Sequence, residues 1–346
     1  MRMKTYKAAI IGCGNIASKH DEEKKIKKGI FTHAGAYKKV GRVNLVAAAD
    51  INEKRLKEFG RFWNVEKLYK NHLELLENEA LDVLSICTWD NTHHQIIMDA
   101  LNINSPKVIF AEKPLADTSA RELEILEKAK NAGTKIVVNY QRRWDAGHQK
   151  VAKMIKNGDI GDIQATTAYY VKGIRHVGCT IINILRFLIS EISSVAAIPL
   201  ASVETFAKED PSLDAILFFK NGVKAFVQSC DKGRNTYSIF ELDILGTKGR
   251  VQIVDNGERV VYYKLIPHHI YPGFSELARY KEEKTQMPWA IVNGVKEIVR
   301  ILDEGLESFT NEGAEAHKDT LVIESILRSR RSNWTKVDVT GDPACR

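Results

Sequence analysis

Short apolar runs punctuate the first 140 positions: Lys7–Ile11, Val43–Ala49, Asp82–Cys87, Lys107–Ala111 and Lys135–Asn139. Little polar alternation interrupts them, which predicts strands buried on both faces of a parallel sheet. Helix-like stretches lie between. Asn52 to Phe62 begins on an N-cap type residue, and Ser119-Ala120-Arg121-Glu122 is a capping box opening a helix that stops at Gly133. Repeated β-α units of this kind predict a right-handed, doubly wound sheet, so residues 1–140 are expected to form an α/β dinucleotide-binding domain.

After Tyr140 the pattern changes. A helix is predicted from about Ala146 to Lys156, then a strand over Ile163–Val171 and a helix over Ile181–Ile189. Leu213–Lys220 and Val223–Ser229 flank Asn221-Gly222, the strongest short hairpin signal. Tyr237–Leu245, Arg250–Val254 and Arg259–Lys264 continue the strand pattern, with turns at Gly246–Gly249 and Asn256-Gly257. Residues 141–346 are therefore expected to form an α+β domain with a large, mostly antiparallel sheet. A last helix, roughly Ala314–Ser329, would pack back on the structure.

The first apolar run ends in Gly12-Cys13-Gly14-Asn15-Ile16-Ala17, a Gly-x-Gly-x-x-Ala turn between a strand and a helix. The first glycine allows a tight turn, the second lets backbone approach a pyrophosphate, and the helix N-terminus attracts the anion. The same glycines serve in plain strand–helix turns, but this place, after the first strand of a β-α series, favours a cofactor. Asp50 closes the second strand. A carboxylate there accepts hydrogen bonds from both adenosine ribose hydroxyls and repels a 2′-phosphate, so NAD is expected over NADP. The bland alternative is that Asp50 caps the helix starting near Asn52. Asp50 lies further from the glycines than usual, and Lys19–Thr32 reads as an insertion that accounts for the excess.

Composition changes this picture little. Hydrophobic residues are 44% and charged residues 27% of 346, ordinary for a globular chain able to bury two cores. No apolar stretch of signal-peptide length precedes Gly12, and none is long enough to span a bilayer, so a cytoplasmic protein without membrane association is expected. The cysteines at 13, 87, 179, 230 and 345 are scattered and form no Cys-x-x-Cys pair, which argues against a disulfide framework or structural zinc. The net charge of +7 has one dense basic run, Lys24-Lys25 with Lys27-Lys28, among interspersed acids. That suits a solvated surface with mild attraction for anionic ligands better than a nucleic-acid binder.

At Phe110-Ala111-Glu112-Lys113-Pro114-Leu115 the chain resembles a known family. Glu-Lys-Pro after the fifth strand of a Rossmann domain is the signature of the Gfo/Idh/MocA oxidoreductases, named for glucose–fructose oxidoreductase and inositol dehydrogenase. Thr88-Trp89-Asp90-Asn91-Thr92-His93 resembles the family's Thr-Pro-x-x-x-His segment, with Trp89 in place of proline. Val138–Trp144 resembles its bridge into the second domain. Gly158-Asp159-Ile160-Gly161 and Leu245-Gly246-Thr247-Lys248-Gly249 resemble later turns.

The resemblance implies an NAD-dependent oxidoreductase that moves a hydride to or from a hydroxyl-bearing or keto carbon of a sugar, sugar phosphate, nucleotide sugar or cyclitol. It implies a cofactor site from Gly12, Gly14, Asn15, Ile16, Asp50, Thr88, Trp89, His93, Glu112, Lys113 and Gln141, and substrate contacts from Tyr140, Arg142, Trp144 and Thr180. Lys113 would sit beside the nicotinamide and act at the reacting oxygen. Its place at a strand end makes an idle surface lysine the weaker reading.

The family's Asp-x-x-x-His element falls on His176-Val177-Gly178-Cys179-Thr180, so His176 replaces the aspartate and Thr180 the histidine. His176 is then expected either to tune Lys113 or contact substrate, or simply to cap the helix region through a backbone hydrogen bond. Loss of the histidine keeps a second class open, a non-catalytic NAD-binding sensor or partner protein. No metal is expected, because His93, His94, His176 and Cys179 share no recognised ligand spacing. Positive charge leans towards an anionic substrate. Strands such as Ala215–Phe219 and Ala225–Val227 are apolar on both faces, and with the resemblance this implies a homodimer or homotetramer.

Overall fold

The computed structural model describes residues 4–23, 28–199, 205–207, 210–230 and 238–340. Lys24, Lys25 and Lys27 of the basic run, Tyr237 and Cys345 lie outside the described residues. Contacts divide the chain into two compact units, residues 1–144 with 288–317 and residues 145–287 with 318–346. The division near 140 expected from the sequence pattern stands at 144/145, and 288–317 join the first unit, not the second.

The first unit is built on a parallel six-stranded sheet. Its strands are β1 (Tyr6–Ile11), β2 (Val43–Ala49), β3 (Lys67–Tyr69), β4 (Val83–Ile86), β5 (Val108–Ala111) and β6 (Lys135–Val138). They lie in the order β3-β2-β1-β4-β5-β6. Every residue of β4 and β5 is buried, which is why these strands read as unbroken apolar runs. The strand-to-strand connections contain α3 (Glu53–Trp63), α4 (His72–Asn78), α5 (Asp90–Ile103) and α6 (Ser119–Ala132).

The connection from β1 to β2 is split. A π-turn over Asn15–Lys19 runs into the single turn α1 (His20–Glu22), and helix resumes as α2 (His33–Val40). The stretch expected as an insertion therefore lies between two helical pieces. Asp21 ties its ends together: Oδ2 accepts from the Thr32 hydroxyl at 2.7 Å and from its backbone amide at 3.2 Å. The returning helix Ala290–Glu304 buries Ile291, Val292, Val295, Ile298 and Val299 in the same core as Tyr6, Phe110 and Trp144. This is the helical spacing of one apolar face.

The second unit holds α7 (Ala146–Lys156), β7 (Ile163–Tyr170), α8 (Cys179–Leu188) and β8 (Ile192–Ala197). Then come β9 (Thr205–Ala207), β10 (Asp210–Pro211), β11 (Ala215–Phe219), β12 (Lys224–Ser229), β13 (Glu241–Gly246), β14 (Gly249–Val254), β15 (Arg259–Pro267), β16 (Ser275–Lys284) and β17 (Val337–Asp338). Nine of these strands form one sheet, β16-β15-β14-β13-β7-β12-β11-β8-β17. All its pairs are antiparallel except β12 with β7. The Asn221-Gly222 hairpin joins β11 to β12 as expected, with Gly222 at φ +86°. β11, β13 and β14 alternate between buried and half-buried residues, so one face is core and the other is partly open.

Candidate cofactor and catalytic site

In the first unit, strand order reverses beside β1. The chain proceeds outward through β2 and β3, then crosses to β4, so a crevice opens at the carboxyl ends of β1 and β4, the usual binding position in open α/β sheets. Gly12 to Gly14 end β1, Asp50 and Ile51 end β2, Thr88 and Trp89 follow β4, and Glu112 to Pro114 follow β5.

The two glycines of the turn have different physical reasons. Gly12 lies at φ +87°, and a Cβ there would meet the backbone carbon and oxygen of Cys87 at 2.8 Å. Its requirement is internal to the fold. Gly14 has φ −75° and ψ −152°, and a Cβ there would meet no protein atom within 4 Å. Nothing in the protein demands glycine at 14, so the open space beside it is room for a ligand's approach.

Helix capping singles out the same crevice. Thr32, Asn52, Asn71 and Thr118 cap α2, α3, α4 and α6 by accepting a backbone N–H. The N-cap residues Gly14 and Trp89 make no side-chain cap. At the second start Asp90 Oδ1 accepts from Asn91 N at 2.9 Å, so it is the Gly14 start, beside the strand-order reversal, that leaves amide donors available to an anion.

Asp50 is held in place by two backbone donors. Oδ2 accepts from Cys13 N at 2.7 Å and Oδ1 from Asn52 N at 2.8 Å. The helix itself is capped by Asn52, whose side chain accepts from Arg55 N, so Asp50 is the brace of the glycine turn and not the cap. An arginine does stand close by. Arg55 Nε donates to Cys13 O at 2.5 Å, and its other nitrogens reach Glu22 Oε2 at 2.8 Å and Ser18 Oγ at 2.9 Å. Glu22 neutralises it and its position is taken up by the turn, so it is not offered to a 2′-phosphate. Sequence reading missed this triad, although the insertion carries Glu22.

Other expected site residues divide into those at the crevice and those in the scaffold. Trp89 is 77% exposed and Ile51 92% exposed, apolar side chains at neighbouring strand ends. The Thr88 hydroxyl accepts from Thr92 Oγ1 at 2.8 Å. His93 is buried, with Nδ1 2.9 Å from Pro114 O and Nε2 3.1 Å from Thr88 O. It braces the two loops by their carbonyls and presents no ring nitrogen to a ligand. Trp144, expected as a substrate contact, is core: its ring packs edge-on to Phe110 with centroids 6.0 Å apart, and its indole N–H donates to Glu297 Oε2 at 2.6 Å. Tyr140 is buried, and Gln141 and Arg142 are half-buried in a 3₁₀ turn, Gln141–Trp144. Glu112 is buried and accepts from Asn139 Nδ2 at 2.6 Å, with His33 Nε2 3.1 Å away. His33 was not foreseen; a histidine directly after an insertion has no distinguishing pattern.

His176 and Thr180 belong to the second unit. His176 is half-buried in a π-turn, Gly173–Gly178, that leads into α8, and Thr180 is buried in the first turn of α8. Asp210 fixes this turn: Oδ1 accepts from Arg175 N at 2.7 Å and Oδ2 from His176 N at 3.0 Å. His176 O accepts from the Cys179 thiol at 3.4 Å. His176 does not cap this helix region, whose starts at Lys172 and Gly178 carry no side-chain cap; its own backbone amide is instead anchored by Asp210, a residue the sequence did not single out.

Among the described residues one group offers converging metal ligands, His268, His269 and Glu276 on the β15–β16 hairpin. His268 Nδ1 accepts from the amides of Ile270 and Tyr271 at 3.0 and 3.1 Å, so the neutral ring carries its proton on Nε2. That is the wrong polarity for a ligand, whose second nitrogen should donate.

Residues 6–140 match the family model GFO_IDH_MocA, described as the oxidoreductase family with an NAD-binding Rossmann fold. The matched residues are those of the parallel sheet and its crossover helices in the first unit. The chain is 23% identical to a D-apiose dehydrogenase of Paraburkholderia graminis over 72% of its own length and 68% of the relative's. It is 32% identical to a myo-inositol 2-dehydrogenase of Thermotoga maritima over 37% of this chain and 38% of that one. Levoglucosan dehydrogenase, solved with NADH and levoglucosan, superposes with a TM-score of 0.78 at 16% identity, covering 98% of this chain and all of the other. That likeness is one of fold and takes in residues of both units.

Proposed function

We propose that the protein is an NAD-dependent dehydrogenase or reductase acting on the hydroxyl-bearing or keto carbon of a sugar or cyclitol. The observation that carries this reading is the crevice at the β1–β4 reversal. It combines an uncapped helix start after Gly14, a glycine whose missing side chain the protein does not use, and a carboxylate already oriented by backbone amides. The residues fit NAD. The amides of the Gly14 turn would hold the pyrophosphate, Asp50 the adenosine ribose hydroxyls, and Ile51 and Trp89 the apolar faces of the adenine. Bound there, NAD supplies a hydride acceptor, or in reduced form a hydride donor.

Lys113 performs the proton chemistry. When hydride leaves a carbinol carbon, positive character builds unless the hydroxyl proton departs. As the free amine, Lys113 Nζ takes that proton as the carbonyl forms, becoming the ammonium, and as the ammonium it returns the proton in the reverse direction. Thr180 has a hydroxyl that hydrogen-bonds but does not act as a base near neutral pH. The relatives named as D-apiose and inositol dehydrogenases support polyhydroxylated substrates. The mean positive charge favours an anionic one, such as a sugar phosphate or nucleotide sugar.

The partly open face of the second sheet supports self-association, since Ile216, Phe218 and Phe226 are half-exposed on it. The test of function is NAD reduction across a panel of cyclitols, aldoses, sugar phosphates and nucleotide sugars. Turnover of at least one class is expected. NADH binding without turnover of any would support the non-catalytic sensor instead.

A further inference from the structure

A chain of buried polar groups runs beneath the proposed catalytic lysine. Tyr37 and His33 lie one turn apart on α2, both fully buried. Tyr37 OH is 2.6 Å from Ser85 Oγ on β4, and Ser85 Oγ is 2.9 Å from His33 Nδ1. On the other side of the ring, His33 Nε2 is 3.1 Å from Glu112 Oε1, to which Asn139 Nδ2 also donates. The second carboxylate oxygen of Glu112 lies 3.4 Å from the backbone amide of Lys113. The Phe110 ring packs against the imidazole with centroids 4.2 Å apart.

Donor and acceptor accounting gives this chain a direction. An ionised carboxylate only accepts, so Nε2 of His33 donates to Glu112. The neutral ring then accepts at Nδ1 from the Ser85 hydroxyl, which in turn accepts from Tyr37. Every proton points towards Glu112. Burial alone pushes Glu112 up, but the hydrogen bond from His33, with that from Asn139 and the charge of Lys113 adding, holds it below the usual carboxylate value. The titratable groups around it are His33 from α2, Cys87 after β4 and Lys113 next in the chain, with Tyr37 behind Ser85. Burial pushes the Cys87 thiol and the Tyr37 phenol well up, so neither competes as an anion.

We propose that His33 is a positioning residue for Lys113, acting through Glu112: it holds beside the lysine an ionised, fixed carboxylate that anchors the turn from which Lys113 projects. Its catalytic consequence rests on the role proposed for Lys113, but its electrostatic core does not. The experiment uses the full chain as His33→Phe, which fills the pocket without a donor, and His33→Gln, which restores one. The protonated carboxyl of Glu112 is followed by infrared spectroscopy against pH, assigned by its absence in Glu112→Gln.

In His33→Phe the band should appear about one to two pH units higher than in wild type, the size expected for losing one charge-assisted hydrogen bond. In His33→Gln most of that shift should vanish. With a turned-over substrate, His33→Phe should lower kcat about ten- to a hundredfold and raise the acid limb of its pH profile, with NADH affinity little changed. If His33→Phe does not fold, Ser85→Ala, which removes the donor to Nδ1, should move the band in the same direction. A Glu112 band at unchanged pH in His33→Phe, or in Ser85→Ala when that is the variant read, overturns the proposal. So does a normal kcat–pH profile where turnover is measurable. If no substrate is turned over at all, the infrared arm still decides the proposal, and the dehydrogenase reading fails separately.

Discussion

Alanine at Gly14 and alanine at Gly12 should separate cofactor binding from folding. At Gly14 the backbone is extended and a Cβ meets nothing within 4 Å, so Gly14→Ala should change stability by less than about 1 kcal/mol. It should nevertheless weaken NADH by about tenfold or more, because the methyl occupies the space through which a pyrophosphate reaches the backbone. At Gly12 the left-handed backbone costs alanine roughly 1–2 kcal/mol. The approach of 2.8 Å to the backbone of Cys87, which has no flexible end to yield, adds about 1–3 kcal/mol of overpacking. Gly12→Ala should therefore destabilise the first unit by about 2–5 kcal/mol. The assays are urea unfolding followed by circular dichroism and NADH titration by fluorescence. Wild-type NADH affinity in a well-folded Gly14→Ala would refute the placement of the ligand over this turn. A Gly14→Ala as unstable as Gly12→Ala would refute the structural distinction itself.

Further outcomes follow from the same geometry. NADH should bind more tightly than NADPH, since Asp50 faces the turn and Glu22 neutralises Arg55; Asp50→Ala should weaken NADH and narrow the preference, and tighter NADPH binding by wild type would contradict this. His176→Gln should alter the pH–rate profile if the imidazole handles a proton; an unchanged profile would leave His176 only the backbone anchoring that Asp210 provides. Thr180→His should raise turnover, since the native hydroxyl does not act as a base near neutral pH; unchanged turnover would contradict this. Light scattering should show a dimer or tetramer at micromolar protein, and a monomer would leave Ile216, Phe218 and Phe226 without the cover argued for them.

The legible parts of the fold are those where burial imposes a pattern. β4 and β5 are buried throughout and read as apolar runs; the Asn221-Gly222 hairpin carries its turn chemistry in two residues. β16 did not show in the sequence because Ser-Glu-Leu-Ala-Arg-Tyr-Lys-Glu-Glu-Lys is largely exposed on both faces, and so has no period to read. The helix Ala290–Glu304 has a clear apolar face, but nothing local says which core receives it. In the site, Gly12, Gly14 and Asp50 announce themselves by position after strands. Trp144 and His93 share motif segments with functional residues yet serve packing and loop bracing. His33, Arg55 and Asp210 escaped notice because each acts through partners far along the chain: Glu112, Glu22 and the amides of 175 and 176. Long-range pairing leaves no trace in spacing.

The central claim is that Lys113 carries proton transfer in an NAD-dependent reaction on a polyhydroxylated substrate. The most direct measurement is single-turnover formation of reduced nicotinamide by wild type and Lys113→Ala at saturating NAD, on whichever substrate of the panel the wild type oxidises. The variant should bind NADH within about threefold of wild type and lose about a hundredfold or more of the hydride-transfer rate. A rate within a few-fold of wild type would contradict the account.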